Sequence, residues 1–163
     1  MKKHTISVLV ENKFGVLARV AGLFSGRGYN IESLSVNTTE NPKISRMTIV
    51  TSGDDRIIEQ IDKQVSKLID VIKVIDFTSS GNFIERELLL MKVKTTAETR
   101  SQIIELVEIF EGKIVCVGID EIGIELSGRD EKISDFIELV RPFGIIEMSR
   151  TGRAAISKPQ INN

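Results

Sequence analysis

Hydrophobic residues along the chain alternate between segments with a period of two and segments with a helical period. The first segment, HTISVLVEN, is apolar and β-branched enough for a buried strand. The helix predicted after it has an apolar stripe made of Leu17, Val20, Ala21 and Phe24. Strand-like segments then flank the turn residues ENPK, a second amphipathic helix follows Asp54, and VIKVIDF is strand-like again. The predicted order is βαββαβ, ending near Phe77.

The second half repeats this order. ERELLLMKV is strand-like, and Thr95 with Glu98 has the spacing of a capping box ahead of the next helix. Two short strands, a further helix that ends at Pro142 and a last strand, GIIEMSR, complete it. We therefore predict an α+β protein with two ferredoxin-like βαββαβ domains, at residues 1–78 and 83–163, joined by a linker at 79–82.

Composition excludes partners that bind through charge. Among 163 residues, 22 Lys and Arg stand against 23 Asp and Glu, so neither nucleic acid nor a membrane surface is an expected partner. No apolar run is long enough to span a bilayer, and the first residues lack the features of a secretory signal. We expect a cytoplasmic protein.

Side chains suited to catalysis are scarce. His4 is the only histidine and Cys116 the only cysteine, so neither a catalytic triad nor a zinc site is expected. We expect His4 to be exposed near the terminus and Cys116 to be a small buried residue of a strand. A βαββαβ fold also suits RNA binding and acyl phosphate hydrolysis, but the central strands lack aromatic residues and the first strand-helix turn, NKFG, lacks an arginine.

Gly15 lies at the predicted junction between the first strand and the first helix. A helix amino end has free N–H groups and a positive dipole, so Gly15 could mark a site for a carboxylate. It could equally relieve a tight turn. Asn12 fits both interpretations, because its side chain can fix the turn or present an amide to a ligand.

Several motifs together resemble one family. GYNIESL, SRMTI, ERELLL and RTG occur in this order, after ENKFGVLARV, and the similarity runs from about residue 4 to residue 157. In these motifs the chain resembles the small regulatory subunit of acetohydroxyacid synthase, also called acetolactate synthase. The resemblance implies an ACT domain, which binds valine or another branched-chain amino acid, followed by a second domain peculiar to such subunits.

The resemblance also implies a role without catalysis by this chain. A separate catalytic subunit carries thiamine diphosphate, magnesium and FAD, and the small subunit activates it and confers feedback inhibition in branched-chain amino-acid synthesis. The effector lies between two protomers of a homodimer or higher oligomer. Matching residue by residue implies an effector site made of Asn12, Gly15, Val16, Leu17, Asn30 and Ile31. Leu17 and Ile31 are the apolar neighbours, and Asn30 belongs to the facing protomer.

The predicted second strand, IESLSV, is an edge strand apolar enough to pair with another chain. The second half has VKTTAETR where the first has VENKFGVL, so only the first domain is expected to carry an effector site. An alternative role for the chain is a free-standing ACT-type sensor of amino acids that serves another enzyme.

Overall fold

The computed structural model describes residues 2–160, which form two compact units. The first unit contains the residues up to Ile84 together with those from Gly152 onward, and the second contains Glu85–Thr151. The predicted linker at residues 79–82 lies just before Glu85, where the second unit begins. The chain after Gly152, expected in the second domain, belongs by its contacts to the first unit.

The first unit has a four-stranded antiparallel sheet in the order β2-β3-β1-β4. Two main helices, α1 and α2, alternate with its strands, and a short helix, α3, follows β4. The elements are β1 (Lys2–Glu11), α1 (Val16–Gly26), β2 (Ser33–Thr38), β3 (Ile44–Gly53), α2 (Asp55–Val65), β4 (Val71–Asp76), α3 (Phe77–Ser80) and, near the end of the chain, β9 (Ala154–Ser157).

Alternation along β1 places its even-numbered side chains in one core. Ile6, Val8 and Val10 are almost fully buried and pack with residues of β3 and of both main helices. The inward stripe of α1 consists of Val16, Val20 and Phe24. The prediction that Leu17 belongs to this stripe is wrong, since Leu17 is 44% exposed. Gly15 starts the helix directly before Val16, and this rotates Leu17 outward.

The second unit has a sheet in the order β6-β7-β5-β8. The strand β5 begins two residues before the boundary of the unit, and β9 pairs with it. The elements are β5 (Phe83–Lys94), α4 (Arg100–Ile109), β6 (Lys113–Val117), β7 (Glu121–Gly128), α5 (Asp130–Val140), a 3-10 turn (Arg141–Phe143) and β8 (Ile145–Arg150).

One arginine ties three elements of the second unit together. Arg150, the last residue of β8, donates from Nε to Glu87 of β5 and from Nη2 to Asp130 of α5, each at 2.5 Å. Burial lowers the pKa of this guanidinium, but the hydrogen bonds and charges of the two carboxylates outweigh that effect and raise it. Arg150 therefore stays charged and supports the contact between β8, β5 and α5.

Both units follow the predicted βαββαβ order, so the predicted α+β fold is confirmed. Besides the position of Leu17, three local predictions are wrong. Cys116 is exposed, because a β-bulge in β6 interrupts the alternation beside it. The predicted capping box at Thr95 is absent, since α4 begins at Arg100 and Thr95 is buried.

No helix within residues 2–160 is long and apolar enough to cross a membrane.

The third wrong prediction concerns His4, which is only 1% exposed. Its Nδ1 lies 3.1 Å from Oδ2 of Asp76, and its Nε2 is buried with no partner among the described residues. Asp76 also caps α3 by accepting from the Thr78 and Ser79 amides. His4 is buried because β1 pairs with β4 and brings the two residues together, although they are 72 positions apart in the chain.

Asp76 gives the first unit a measurable dependence on pH. Burial raises the pKa of this carboxyl, but hydrogen bonds from Ser79 and His4 outweigh burial and lower it below the ordinary value of 3.8. The carboxylate therefore stabilises the folded state at pH values above 3.8, and this contribution is lost as the pH falls through the lower, folded pKa.

We expect Asp76→Asn to lower the free energy of unfolding of the first unit by about 1 kcal/mol at neutral pH. Asparagine can still cap α3, but its neutral amide oxygen accepts hydrogen bonds from Thr78 and Ser79 more weakly than the carboxylate does. Fluorescence of Tyr29, the only tyrosine in a chain without tryptophan, should follow unfolding of this unit in urea. The difference from wild type should shrink as the pH falls below 3.8. Asp55→Asn, at an exposed carboxylate without a partner in the described chain, is the control. A difference that stays constant through this range would contradict the assignment.

Candidate functional site

The junction between β1 and α1 is built around Gly15. This residue is the N-cap of α1 and has φ 80° and ψ −3°, a left-handed conformation that favours glycine. No side chain caps the helix. Within residues 2–160, the amides of Leu17 and Ala18 in the first helical turn have no hydrogen-bond partner. The amino end of α1 therefore presents free donors and the positive end of the helix dipole to solvent.

A guanidinium lies beside these donors. A Cβ built on Gly15 would lie 3.6 Å from Nη1 of Arg19, which is one helical turn further along. The Nη2 of Arg19 donates to Oδ2 of Asp70 at 2.5 Å, and the Asp70 side chain is only 9% exposed. Asp70 also accepts the Glu11 amide through its carbonyl. A nearly buried carboxylate thus anchors one side of the guanidinium and leaves Nη1 over the uncapped turn.

Sequence reasoning missed Arg19 and Asp70. The spacing of four residues between Gly15 and Arg19 is a local signal that would have placed the arginine over the first turn. Asp70 carries no such signal, because only the approach of the start of β4 to the end of β1 brings its side chain to Arg19.

Asn12 takes a structural position in this loop. Its amide donates from Nδ2 to the Pro42 carbonyl at 3.0 Å, and its backbone N–H donates to the Lys43 carbonyl at 2.8 Å. Asn12 therefore ties the β1–α1 loop to the turn between β2 and β3. Its Oδ1 has no partner among the described residues.

The apolar residues of the loop divide into one buried and two exposed side chains. Val16 is 3% exposed and packs in the core, so only its backbone faces the junction. Leu17 is 44% exposed, and the neighbouring Phe14 is fully exposed at 103%. Phe14 and Leu17 are the apolar groups available to a ligand at this end of α1.

Asn30 and Ile31 lie beyond the other end of α1, directly before β2. The Asn30 carbonyl accepts from Thr51 Oγ1 at 2.7 Å, and its exposed side chain has no partner within residues 2–160. Ile31 is half-buried against the core. The helix between the two groups has 11 residues and is about 16 Å long at about 1.5 Å per residue. One chain therefore groups Asn12, Gly15, Val16 and Leu17 at one end of α1, and Asn30 and Ile31 at the other.

The corresponding junction of the second unit has two hydrogen-bonded threonines ahead of α4, although α4, like α1, has no side-chain cap. Before α4, the Thr96 amide donates to Thr99 Oγ1 at 2.9 Å and the Thr99 amide donates to Thr96 Oγ1 at 3.2 Å. No glycine with positive φ occurs there. Among the described residues, no group of three or more His, Cys, Asp or Glu side chains is arranged to hold a metal ion.

A sheet edged by β2, with α1 entered through a left-handed glycine, defines the first unit as an ACT domain, the class of small regulatory domain that residues 6–73 match as an "AHAS small subunit-like ACT domain". Residues 86–159 match the family described as "Small subunit of acetolactate synthase". The chain belongs to this family of acetolactate synthase small subunits.

Individual relatives agree over nearly the whole chain. The "Probable acetolactate synthase small subunit" of Archaeoglobus fulgidus is 55% identical over 154 residues, covering 94% of this chain and 96% of the relative. The small subunit of Aquifex aeolicus is 50% identical, and the match covers 97% of this chain and 82% of the relative. The crystal structure of the Thermotoga maritima small subunit is 41% identical, with a TM-score of 0.91, and the match covers 99% of this chain and 100% of that one. The chain is thus similar to non-catalytic, regulatory subunits.

Proposed function

We propose that this chain binds a branched-chain amino acid, valine in the first instance, at the amino end of α1, and that binding confers feedback inhibition on the catalytic subunit that the chain activates. The observation that carries the proposal is Gly15. Its left-handed conformation leaves the first turn of α1 without a cap and without a Cβ that would cover it.

The uncapped turn is suited to the effector carboxylate. Free N–H groups at a helix amino end, together with the dipole, favour an anion. The Nη1 of Arg19 adds a full positive charge next to the same turn, and Asp70 holds it there. Charge-assisted hydrogen bonds of this kind are about twice as strong as neutral ones. A charged side chain thus joins the backbone donors as a ligand for the carboxylate.

The effector side chain lies against Leu17 and Phe14 in this proposal, since both are exposed beside the turn. Asn12 and Val16 serve through the loop that they hold in place, Asn12 by its bonds to the β2–β3 turn and Val16 by its packing in the core. Exposed apolar side chains suit a short aliphatic group better than a polar one.

Asn30 and Ile31 complete the site from a second copy of the chain. At the far end of α1, about 16 Å away by helix length, they cannot contact the same small molecule as Gly15 of their own chain. The free edge of β2 gives a route to such a dimer, because edge strands pair readily with a second chain. Pairing through β2 brings Asn30 of one copy towards Gly15 of the other.

The chain acts through a catalytic subunit in this proposal, and that subunit holds the thiamine diphosphate, magnesium and FAD, in the cytoplasm. Feedback inhibition requires that valine bind the less active assembly more tightly than the active one. Coupling of this kind typically changes affinity by roughly 5- to 150-fold.

We expect the chain, co-purified with an acetolactate synthase catalytic subunit, to raise acetolactate formation, and added valine to reduce it towards the level of the catalytic subunit alone. Leucine and isoleucine, titrated in parallel, should rank the effectors. Activity that stays flat in all three amino acids while the subunits remain associated rejects feedback inhibition. Failure of the two subunits to associate would favour a free-standing sensor.

Gly15→Asp should abolish or strongly weaken valine binding, because it places a negative charge beside the uncapped turn and within reach of Arg19. The left-handed conformation itself costs an ordinary residue about 1 to 2 kcal/mol. Gly81→Asp is the matched control, since Gly81 has φ 67° and open space where its Cβ would lie, and it follows the short helix α3. Calorimetry should show lost binding in the first variant only. Equal affinity in both variants would remove Gly15 from the site.

Arg19→Ala should lower valine affinity by about 10-fold or more, since a hydrogen bond to a charged group contributes about 1.5 to 3 kcal/mol and this guanidinium is half exposed. Arg19→Lys keeps the positive charge and should recover part of the affinity. Arg56→Ala removes an exposed arginine of α2 and controls for net charge. If Arg19→Ala binds valine as wild type does while remaining folded by Tyr29 fluorescence, the arginine holds Asp70 and takes no part in binding.

A further inference from the structure

The segment Gly152–Ser157, which we call the C-terminal strap, follows Arg150 and Thr151 in the RTG motif. Arg150 and Thr151 are fixed to β5 in the second unit, Arg150 through Glu87 and Thr151 through the Leu88 carbonyl. The strap belongs by its contacts to the first unit, the ACT domain. The role proposed above for the chain makes no use of this segment.

Gly152 lies directly on the backbone of β2. A Cβ built on it would be 2.5 Å from the carbonyl carbon and oxygen of Leu34 and 2.9 Å from the Ser35 amide nitrogen. Backbone atoms of a paired strand cannot move aside as the end of a flexible side chain can. Gly152 has no positive φ, so the requirement for glycine comes from space alone.

Arg153 adds two hydrogen bonds to the same surface. Its backbone N–H donates to Ser33 Oγ at 3.2 Å, and its Nη1 donates to Thr5 Oγ1 of β1, also at 3.2 Å. Thr5 is 1% exposed, Ala155 of the strap is 3% exposed, and both Arg153 contacts are partly buried. The strap therefore fixes β2 to β1 across one face of the sheet.

The strap leaves the outer edge of β2 available. Within residues 2–160, β2 pairs only with β3, and β9 of the strap pairs with β5. Arg153 reaches β2 through the Ser33 hydroxyl and not through a ladder bond. Pairing of β2 with a second copy and packing of the strap on β2 are thus compatible.

The residues under the strap continue directly from one half of the proposed effector site. Asn30 and Ile31 precede Ser33 by three and two positions. The amide of Glu32, which lies between Ile31 and Ser33, donates to the Val50 carbonyl at 2.8 Å. The Glu32 carboxylate accepts from Ser52 and pairs with Lys3 at 3.3 Å. The segment that carries Asn30 is therefore continuous with a strand held by β3 on one side and by the strap on one face.

We propose that Gly152 and Arg153 are positioning residues for the effector site, holding β2 so that Asn30 is presented to the effector bound at Gly15 of a second copy. This inference rests on the function proposed above. Because binding and ordering are linked, a strap that favours effector binding must itself be held more tightly when the effector is bound.

The test uses the full-length chain in its complex with the catalytic subunit. Gly152→Ala and Arg153→Ala should each weaken valine binding by roughly 5-fold or more, the lower end of typical coupling between sites. Gly22→Ala, where nothing lies within 4 Å of the added methyl group, and Arg56→Ala are the matched controls. Both variants of Arg153 keep its backbone bond to Ser33, so Arg153→Lys, which also keeps a positively charged donor for Thr5, should recover most of the affinity.

Hydrogen exchange of the wild-type complex gives a second measurement that does not depend on folding of the variants. Valine should slow exchange of the Arg153 amide, which donates to Ser33, and leave that of the Thr96 amide in the second unit unchanged. Valine binding by wild type without protection of Arg153 overturns this inference and leaves the effector site standing. No valine binding by wild type overturns both. Variants with wild-type affinity would likewise show that the strap acts only on stability.

Discussion

The uncapped entry into α1 is the constraint from which the rest of the candidate site follows. A residue with φ 80° is needed to turn the chain from β1 into the helix, and glycine meets this need without strain. With no side chain at the cap, the first amides stay free and Arg19 can lie across the turn. A serine or aspartate cap would have stabilised the helix and filled the place that an anion would occupy.

The two units have one fold but differ where the first strand meets the first helix. Both follow the same element order, but the second begins its first helix behind a reciprocal pair of threonine hydroxyl bonds. Those bonds satisfy the Thr96 and Thr99 amides, whereas the first unit has a left-handed glycine before its helix. In the second unit, a partly buried ion-pair network around Arg150 joins β8, β5 and α5, so these charged groups are used within the unit.

The proposed effector site of the ACT domain is incomplete within one chain. The two halves of the proposed site lie at opposite ends of an 11-residue helix, and within the described residues one edge of β2 has no partner strand. In the proposed dimer, a second copy would complete both, and an effector bound there would contact two chains at once. Such a ligand biases the arrangement of an assembly, which is what inhibition of a separate catalytic subunit requires.

The sequence by itself determined the order of elements, the α+β class, the position of Gly15 and the family. These rest on periodicity, on local capping such as that of α2 by Asp54, and on motifs in order along the chain. It misjudged Leu17, His4 and Cys116, because burial of a single side chain depends on where a helix begins, which strands pair and where a bulge falls. Tertiary structure alone decided the pairing of Arg19 with Asp70 and the packing of Gly152 on β2. These contacts join residues that are 51 or more positions apart in the chain. Hydrophobic periodicity reports only on neighbours within one helix or strand, so it cannot reveal such contacts.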